Sequence, residues 1–182
     1  MLAVGWAVVP KRLSVVFGVG RCVVEVTSDR CAASVPPDYM FVSTHGRYVA
    51  LGMQQLPEVP GERILAESQR RNTAPCVAWA AYHIRALDPE ATLVVTPADH
   101  LILREEVFRG AILQGMDFVE ELQCLPTLGG KPTRAETGSG YIQIGDESKG
   151  AIRTVKPFTE KTNRPPAQVL QERAAVFWNS GL

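Results

Sequence analysis

Between residues 39 and 128, short runs of β-branched and apolar residues alternate with longer segments of helical periodicity, and this alternation constrains the fold most strongly. Strands are predicted at 39–43, 64–66, 92–96 and 123–128. Strands and helices that alternate through short connections form right-handed βαβ crossovers, in which successive strands run parallel. The pattern predicts an α/β fold with a mostly parallel sheet and helices on both of its faces.

Three helices are predicted between these strands. The first ends near Gln55. The second begins in "RNTAPC", where Thr73 is a suitable N-cap and Pro75 is tolerated in the first turn, and it stops at Asp88. The third begins at Glu105, where acidic side chains interact favourably with the helix dipole. Apolar residues recur along it at three- and four-residue spacing, which predicts one face packed on the sheet.

The strand at 92–96 leads into "PADH", so that a carboxylate, Asp99, follows the strand closely. Open parallel sheets bind ligands at the carboxyl ends of their strands. The turn Arg71-Asn72-Thr73 follows another strand and precedes a helix, whose N-terminus is a natural anion site. We therefore expect these two loops to converge on one site. The alternative is that Asp99 only forms a turn, which is a common role of aspartate at the end of a strand.

Beyond residue 128 the sequence becomes rich in Gly, Pro and Thr. Short strands are predicted at 141–145 and 152–158, followed by a short helix around 167–173. The segments "ETGSGYI", "FTEK" and "WNSG" contain groups that could bind a ligand, but each alone is a weak signal. The glycines of the first could form a plain hairpin turn, adjacent opposite charges as in the second are usually solvated surface, and the third could be a core tryptophan followed by a turn. We interpret this region as an irregular lid or a substrate-binding extension of the same sheet.

Composition and cysteine spacing exclude several function classes. The formal net charge is +0, so there is no basic excess to bind nucleic acid through its phosphates. The four cysteines have neither the spacing of a zinc site nor that of a close disulfide framework, which favours reduced thiols in a cytoplasmic protein. The apolar run 2–9 is too short to cross a bilayer, and its positive charges follow it, unlike those of a signal peptide. We expect no membrane partner.

Taken in order, "RNTAP", "PADH", "ETGSGYI", "EK" and "FWNSG" resemble the mannose-1-phosphate guanylyltransferases, within the nucleotide-sugar pyrophosphorylase superfamily. "PKRLSVVFG" is similar to that family's "PKQ...LFG" segment, and the resemblance extends from about Pro10 to Leu182. It implies a Rossmann-like nucleotide-diphospho-sugar transferase fold. It also implies a single domain over 1–182, in which 1–128 binds the nucleotide and 129–182 binds the sugar phosphate.

The resemblance also implies roles for individual residues. Asp99 corresponds to an aspartate that holds the catalytic Mg²⁺, and Lys11 to a lysine facing the nucleotide phosphates. Nucleotide binding is implied for three residues: Arg71, Asn72 and Thr73. Sugar-phosphate binding is implied for seven residues: Glu136, Gly138, Gly140, Tyr141, Glu160, Lys161 and Asn179.

The reaction implied by the resemblance joins GTP and α-D-mannose 1-phosphate into GDP-mannose and releases diphosphate. A sugar-phosphate oxygen attacks the α-phosphorus of GTP in line, so the protein supplies positioning and charge neutralisation. Mg²⁺ on Asp99 would bridge phosphate oxygens. The side chains of Lys11 and Lys161 would neutralise the remaining negative charge.

Two features of the family are absent from the sequence. The Gly-rich loop AGGxGTRLxPL is not found in "MLAVGWAVVPKR", and no second metal-binding aspartate follows "WNSG". Because loss of one charge-stabilising donor lowers a rate by about 10²–10³, we expect little or no guanylyltransferase activity from this chain. Two alternatives stay open: a catalytically inactive remnant that binds nucleotide or sugar phosphate, and a pyrophosphorylase for another nucleotide sugar. Uncovered sheet edges would favour a homodimer.

Overall fold

The structure, a computed structural model, describes residues 2–7, 21–69, 71–135, 138–159 and 175–181. Contacts between Cα atoms divide the chain into two compact units, Met1–Leu125 and Pro126–Leu182. This division lies close to the predicted change of pattern at residue 128. The assignment of 1–182 to a single domain stays a prediction.

The first unit is a four-stranded parallel sheet with alternating helices. Its strands lie in the order β3-β2-β1-β4, and every neighbouring pair is parallel. Its elements are β1 (Leu2–Ala7), α1 (Val23–Ala32), β2 (Met40–His45), α2 (Val49–Gln55), β3 (Ile64–Glu67), α3 (Thr73–Leu87), β4 (Val94–Pro97) and α4 (Glu105–Leu122).

Strand β2 shows why these residues form a parallel sheet with both faces covered. Its first five residues are all buried, which is typical of a parallel strand with helices on both sides. Met40 and Val42 pack in one apolar cluster with residues of α1. Phe41, which points to the opposite face, packs against Ala80 and Ile84 of α3. The predicted α/β class, with a parallel sheet and helices on both faces, is therefore confirmed.

The predicted helices are present. Two predicted boundaries differ from the structure, one of a helix and one of a strand. Helix α3 begins at Thr73, and its N-cap is Asn72 rather than Thr73. The prediction of Thr73 as the N-cap is wrong because the chain turns one residue earlier, with a positive φ at Asn72. The strand predicted at 92–96 is displaced towards the carboxyl end and becomes Val94–Pro97.

The strand predicted at 123–128 is not formed. Gln123 ends α4 in a left-handed conformation with φ 47°, so the chain leaves the helix through a turn. Pro126 has no N–H to donate to a sheet, and Leu125 is fully exposed. The apolar character of this segment therefore does not lead to strand pairing.

The second unit contains a separate, antiparallel sheet. It is formed by β5 (Gly129–Gly130), β6 (Tyr141–Lys149), β7 (Ile152–Thr159) and β8 (Val176–Asn179), in the order β5-β8-β6-β7. Strands β6 and β7 confirm the two predicted strands and are longer than expected. The prediction that this region extends the parallel sheet is wrong for the described residues, because β6 pairs only with β7 and β8 among them.

Several predictions fall on residues outside the described ranges. These include the short helix around 167–173 and the side chains of Lys11, Glu136, Glu160 and Lys161. Within the described ranges, no helix combines the length and the apolar character needed to cross a membrane.

Candidate functional site

The carboxyl ends of the parallel strands form one edge of the first unit's sheet. In the register of the sheet, Gly5 of β1 lies between Ser43 of β2 and Pro97 of β4, so these strands end at a similar level. Asp99 lies two residues beyond the end of β4, and its side chain is exposed. The structure therefore places this carboxylate at the edge where open parallel sheets bind ligands.

The turn Arg71-Asn72-Thr73 lies at the same edge, after β3 and at the start of α3. All three residues are exposed. Asn72 has φ 66° and ψ −170°, a conformation that is nearly restricted to glycine and carries strain in other residues. Its side chain makes no capping hydrogen bond to the helix. Helix α3 therefore begins at this edge without a cap from the Asn72 side chain. Pro75 has no N–H, so an anion here could bind only to the N–H groups of Thr73 and Ala74 and to the positive end of the helix dipole.

The two loops share an edge of the sheet without adjoining each other. Strands β3 and β4 are the outermost strands, with β2 and β1 between them. Three spacings between neighbouring strands amount to about 14 Å. The predicted convergence is therefore confirmed only for the edge. A ligand that touches both loops has to lie across the ends of β1 and β2.

A buried cluster of polar side chains joins β2, β3 and α3 near this edge. The Ser43 hydroxyl donates to Glu67 Oε1 at 3.2 Å, and the Cys76 thiol donates to Ser43 Oγ at 3.2 Å. Burial, together with a hydrogen bond to Glu67, raises the pKa of Cys76 to about 11. The thiol is therefore protonated at neutral pH, and the cluster ties the first turn of α3 to the ends of two strands.

Helix α1 contacts the turn that carries Asp99 from the interior of the unit. The Thr27 hydroxyl donates to the carbonyl of Ala98 at 3.4 Å. Arg30 Nη2 donates to the carbonyl of His100 at 3.4 Å, and Arg30 Nε donates to Glu105 at 3.3 Å. The turn is thus held on both sides of Asp99, while the Asp99 side chain stays exposed at the edge.

In the second unit, the structure brings three of the predicted sugar-phosphate residues together. The backbone N–H of Asn179 donates to the carbonyl of Gly140 at 2.8 Å, next to Tyr141 at the start of β6. Asn179 Oδ1 accepts hydrogen bonds from the Thr127 hydroxyl at 2.9 Å and from the N–H of Gly181 at 3.0 Å. This arrangement fixes the amide and directs its nitrogen, a donor, away from those two partners.

Tyr141 and Gly138 differ in their exposure. The Tyr141 side chain is 1% exposed and packs with Val176 in the core of this unit. It therefore supports the sheet in this structure, and its contact with a sugar stays a prediction. Gly138 is exposed.

The Asp99 carboxylate is the candidate metal ligand at this edge. Mg²⁺ keeps several of its waters and is bound through one or two carboxylates together with substrate phosphates. Asp99 is a carboxylate of this type. The described residues contain no group of three or more His, Cys, Asp or Glu arranged to hold a metal ion. The exposed Asp99 carboxylate could hold Mg²⁺ only together with waters and phosphate oxygens, and its role as a metal ligand stays a prediction.

The sequence of the chain matches a known protein family. The nucleotidyl transferase family matches residues 7–182, nearly the whole chain. The chain belongs to the nucleotidyl transferase family. The predicted family and its predicted fold are thus confirmed.

One relative of this nucleotidyl transferase chain is a named guanylyltransferase. The mannose-1-phosphate guanylyltransferase of Escherichia coli strain K12 is 37% identical over 144 residues. That match covers 76% of this chain and 30% of the relative, so the chain spans about a third of the relative's length.

Solved structures of two proteins resemble the fold closely. One is described as a mannose-1-phosphate geranyltransferase from Thermus thermophilus, with a TM-score of 0.84 and 29% identity, covering 99% of this chain and 55% of that protein. The other is described as a mannose-6-phosphate isomerase from Helicobacter pylori, with a TM-score of 0.82 and 26% identity, covering 99% of this chain and 68% of that one.

Sequence reasoning missed the buried polar residues around the edge. Glu67 ends β3 much as Asp99 follows β4, so the rule that selected Asp99 could also have selected Glu67. No comparable signal marks Thr27 and Arg30. They lie within a helical pattern, and their burial depends on how α1 packs on the sheet.

Proposed function

We propose that this chain belongs to a mannose-1-phosphate guanylyltransferase and contains its site for GTP, Mg²⁺ and mannose 1-phosphate. The observation that carries the proposal is the exposed carboxylate of Asp99, at the carboxyl edge of the parallel sheet and flanked by hydrogen-bonded backbone. The similarity to a named guanylyltransferase supports the choice of substrates.

In the proposed reaction, a phosphate oxygen of mannose 1-phosphate forms a bond to the α-phosphorus of GTP. The bond from that phosphorus to the bridging oxygen breaks, and diphosphate leaves with its electron pair. Mg²⁺ supplies neutralisation of the phosphate charges when it is bound. Asp99 would hold the ion, and the protein's remaining contribution is to hold two anions in line against their repulsion.

The ends of the sheet suggest how the nucleotide is held. Phosphate at the start of α3 would accept hydrogen bonds from backbone N–H groups and gain from the helix dipole. The Arg71 guanidinium beside that turn is exposed and adds positive charge. An extended nucleotide lying across the ends of β1 and β2 would connect this turn with Asp99. Lys11 and Lys161 are proposed to face the phosphates from outside the described ranges.

The second candidate is a domain that binds the same ligands without turnover. The segment that follows β1 favours it, because only Val8 and Val9 separate Ala7, the last residue of β1, from Pro10. A phosphate-binding loop relies on several glycine-flanked N–H groups, and this short apolar segment has no glycine. The expectation of impaired activity therefore stays a prediction.

Release of diphosphate, measured with a coupled enzyme, separates the two candidates. The purified chain is incubated with Mg²⁺, mannose 1-phosphate and GTP, and then with ATP, UTP or CTP in place of GTP. The test variant is Asp99→Ala. Its matched control is Asp88→Ala, because Asp88 is an exposed aspartate at the C-terminal end of α3, the end opposite the Arg71-Asn72-Thr73 turn.

An enzyme is expected to release diphosphate only when both substrates are present, to lose this activity in Asp99→Ala and to keep it in Asp88→Ala. Binding of GTP in a calorimeter without release identifies the second candidate. Release with another nucleotide identifies a different pyrophosphorylase. If the chain neither binds GTP nor turns it over, the proposed function is wrong.

A further inference from the structure

Two polar residues of α1 are buried more deeply than their types usually are. Thr27 is 0% exposed, and the Arg30 side chain is 3% exposed. Arginine is almost never fully buried unless it is paired. Both side chains donate to backbone carbonyls of the turn after β4, which are those of Ala98 and His100. These two carbonyls lie immediately before and after Asp99.

The environment of Arg30 is poorly suited to a purely stabilising role. Its Nε is paired with Glu105, whose side chain is 53% exposed, and its guanidinium carbon lies 5.9 Å from the centre of the Phe108 ring. Its Nη1 is buried and has no hydrogen-bond partner among the described residues. A buried N–H without a partner opposes folding, and replacing a buried ion pair by apolar side chains is often neutral or stabilising.

The geometry of the two contacts explains what such an arginine can do. Each hydrogen bond is long, at 3.4 Å, but the burial of both donors excludes the water that would compete for the carbonyls. Together they restrain the backbone on both sides of one exposed carboxylate. An exposed aspartate in an unrestrained turn would sample several orientations. Binding an ion would then cost the entropy of fixing one of them.

We propose that Thr27 and Arg30 are positioning residues that fix the Asp99 carboxylate at the carboxyl edge for ion and phosphate binding. This inference rests on the proposed function, in which Asp99 holds Mg²⁺. Neither residue contacts the reacting atoms in this role. The two hydrogen bonds act through the backbone, so that loss of either one loosens the 98–100 turn and weakens Mg²⁺-dependent binding at Asp99.

The test uses variants that keep side-chain volume and remove the hydrogen bond. These are Arg30→Met and Thr27→Val, with Thr27→Ser as the conservative variant that keeps the hydroxyl. The matched controls are Arg109→Met and Thr154→Val. Arg109 pairs with Glu106 on the surface of α4. Thr154 lies on β7 of the second unit, and its side chain is exposed.

The first readout is amide hydrogen exchange of peptides covering 98–104, measured on the full chain without metal or nucleotide. Removing one hydrogen bond is expected to speed exchange there by about 2- to 10-fold, while peptides from β2 and α3 stay unchanged. The second readout is the Mg²⁺ concentration that half-saturates GTP binding. It is expected to rise by a similar factor in Arg30→Met and Thr27→Val and to stay near the original value in Thr27→Ser and both controls.

The outcomes separate this proposal from the proposed function. If Asp99→Asn raises the Mg²⁺ midpoint but Arg30→Met and Thr27→Val behave like their controls in both readouts, the positioning role is overturned. If exchange rises across the whole chain in the variants, the two residues only stabilise the fold, which also overturns it. If Asp99→Asn leaves the midpoint unchanged, the proposed function is wrong, whatever the exchange data show. If GTP does not bind at all, the proposed function is wrong, and the positioning role that rests on it is overturned with it.

Discussion

At the scale of single residues, the candidate site is held by buried polar groups and by strained backbone. Asn72 combines a positive φ with an extended ψ, which side chains other than glycine rarely tolerate. Strain of this kind persists only where the surrounding structure fixes it, and it is found frequently at ligand-binding turns. The sequence could point to this turn because a helix follows a strand there, but no pattern of residue types reveals the strain.

Substitution of Asn72 tests this strain. Asn72→Gly is expected to raise the free energy of unfolding by about 1 kcal/mol, because relief of strain worth about 1–3 kcal/mol exceeds the entropy cost of glycine. Asn72→Ala, which keeps a Cβ and loses the amide, should lower the free energy of unfolding. Urea denaturation measures both. Equal stability of the two variants would show that Asn72 is unstrained.

Two buried thiols make the free energy of unfolding decrease at alkaline pH. Burial raises the pKa of Cys31 to about 12, and burial together with Glu67 raises the pKa of Cys76 to about 11, both from an ordinary value of 9.0. The folded state therefore keeps these protons when the unfolded state has already lost them. The stabilisation is complete below pH about 8 and is lost progressively as pH rises towards 11–12.

This linkage predicts how steeply the free energy of unfolding falls with pH. Above pH about 9, the free energy of unfolding should fall by about 1.4 kcal/mol per pH unit for each of the two thiols. Urea denaturation at pH 8 and pH 10 measures the change, and a variant combining Cys31→Ala with Cys76→Ala should show a shallower fall. If the original chain and this variant fall equally, the two thiols are not protonated as described.

At the scale of helices and strands, hydrophobic periodicity predicts those elements whose positions depend on nearby residues. The strands β2 and β3 and the helices α2, α3 and α4 were all predictable, because each contains a repeating pattern and a recognisable end. The segment 123–128 was not predictable by the same means. Its apolar residues fit a strand, and its left-handed turn at Gln123 and its proline decide against one.

Helix α4 offers a prediction at this scale. A Cβ added at Gly110 or Gly115 would meet no atom within 4 Å. Since glycine is about 1 kcal/mol less favourable than alanine inside a helix, Gly110→Ala and Gly115→Ala should each raise the free energy of unfolding by up to that amount. Urea denaturation followed by circular dichroism measures the effect. A loss of stability would show that another group packs against these glycines.

The contrasting position is Gly145 in β6. There an added Cβ would overlap Thr154 Oγ1 of the paired strand β7. Gly145→Ala is therefore expected to lower the free energy of unfolding by about 1–3 kcal/mol, the usual range for an overpacked site. Combination with Thr154→Ala should restore part of that loss. A neutral effect of Gly145→Ala would indicate that the two strands can separate without cost.

At the scale of the whole molecule, the sequence predicts the class of fold better than the arrangement of its parts. Alternating elements require a mostly parallel sheet, but the order β3-β2-β1-β4 depends on long-range pairing. This order places β1 and β2 between the Arg71-Asn72-Thr73 turn and Asp99. The separate antiparallel sheet was also unforeseen, because its strand patterns resemble those of an added edge. The predicted cytoplasmic location, homodimer and absence of nucleic-acid partners stay predictions.

The most direct test of the central claim is calorimetric titration of GTP into the chain with and without Mg²⁺, for the original chain and for Asp99→Asn. This substitution keeps the size of the side chain and removes its charge. If Asp99 holds an ion shared with the phosphates of GTP, Mg²⁺ strengthens binding to the original chain and has little effect on binding to Asp99→Asn. Equal enhancement by Mg²⁺ in both proteins would contradict the account.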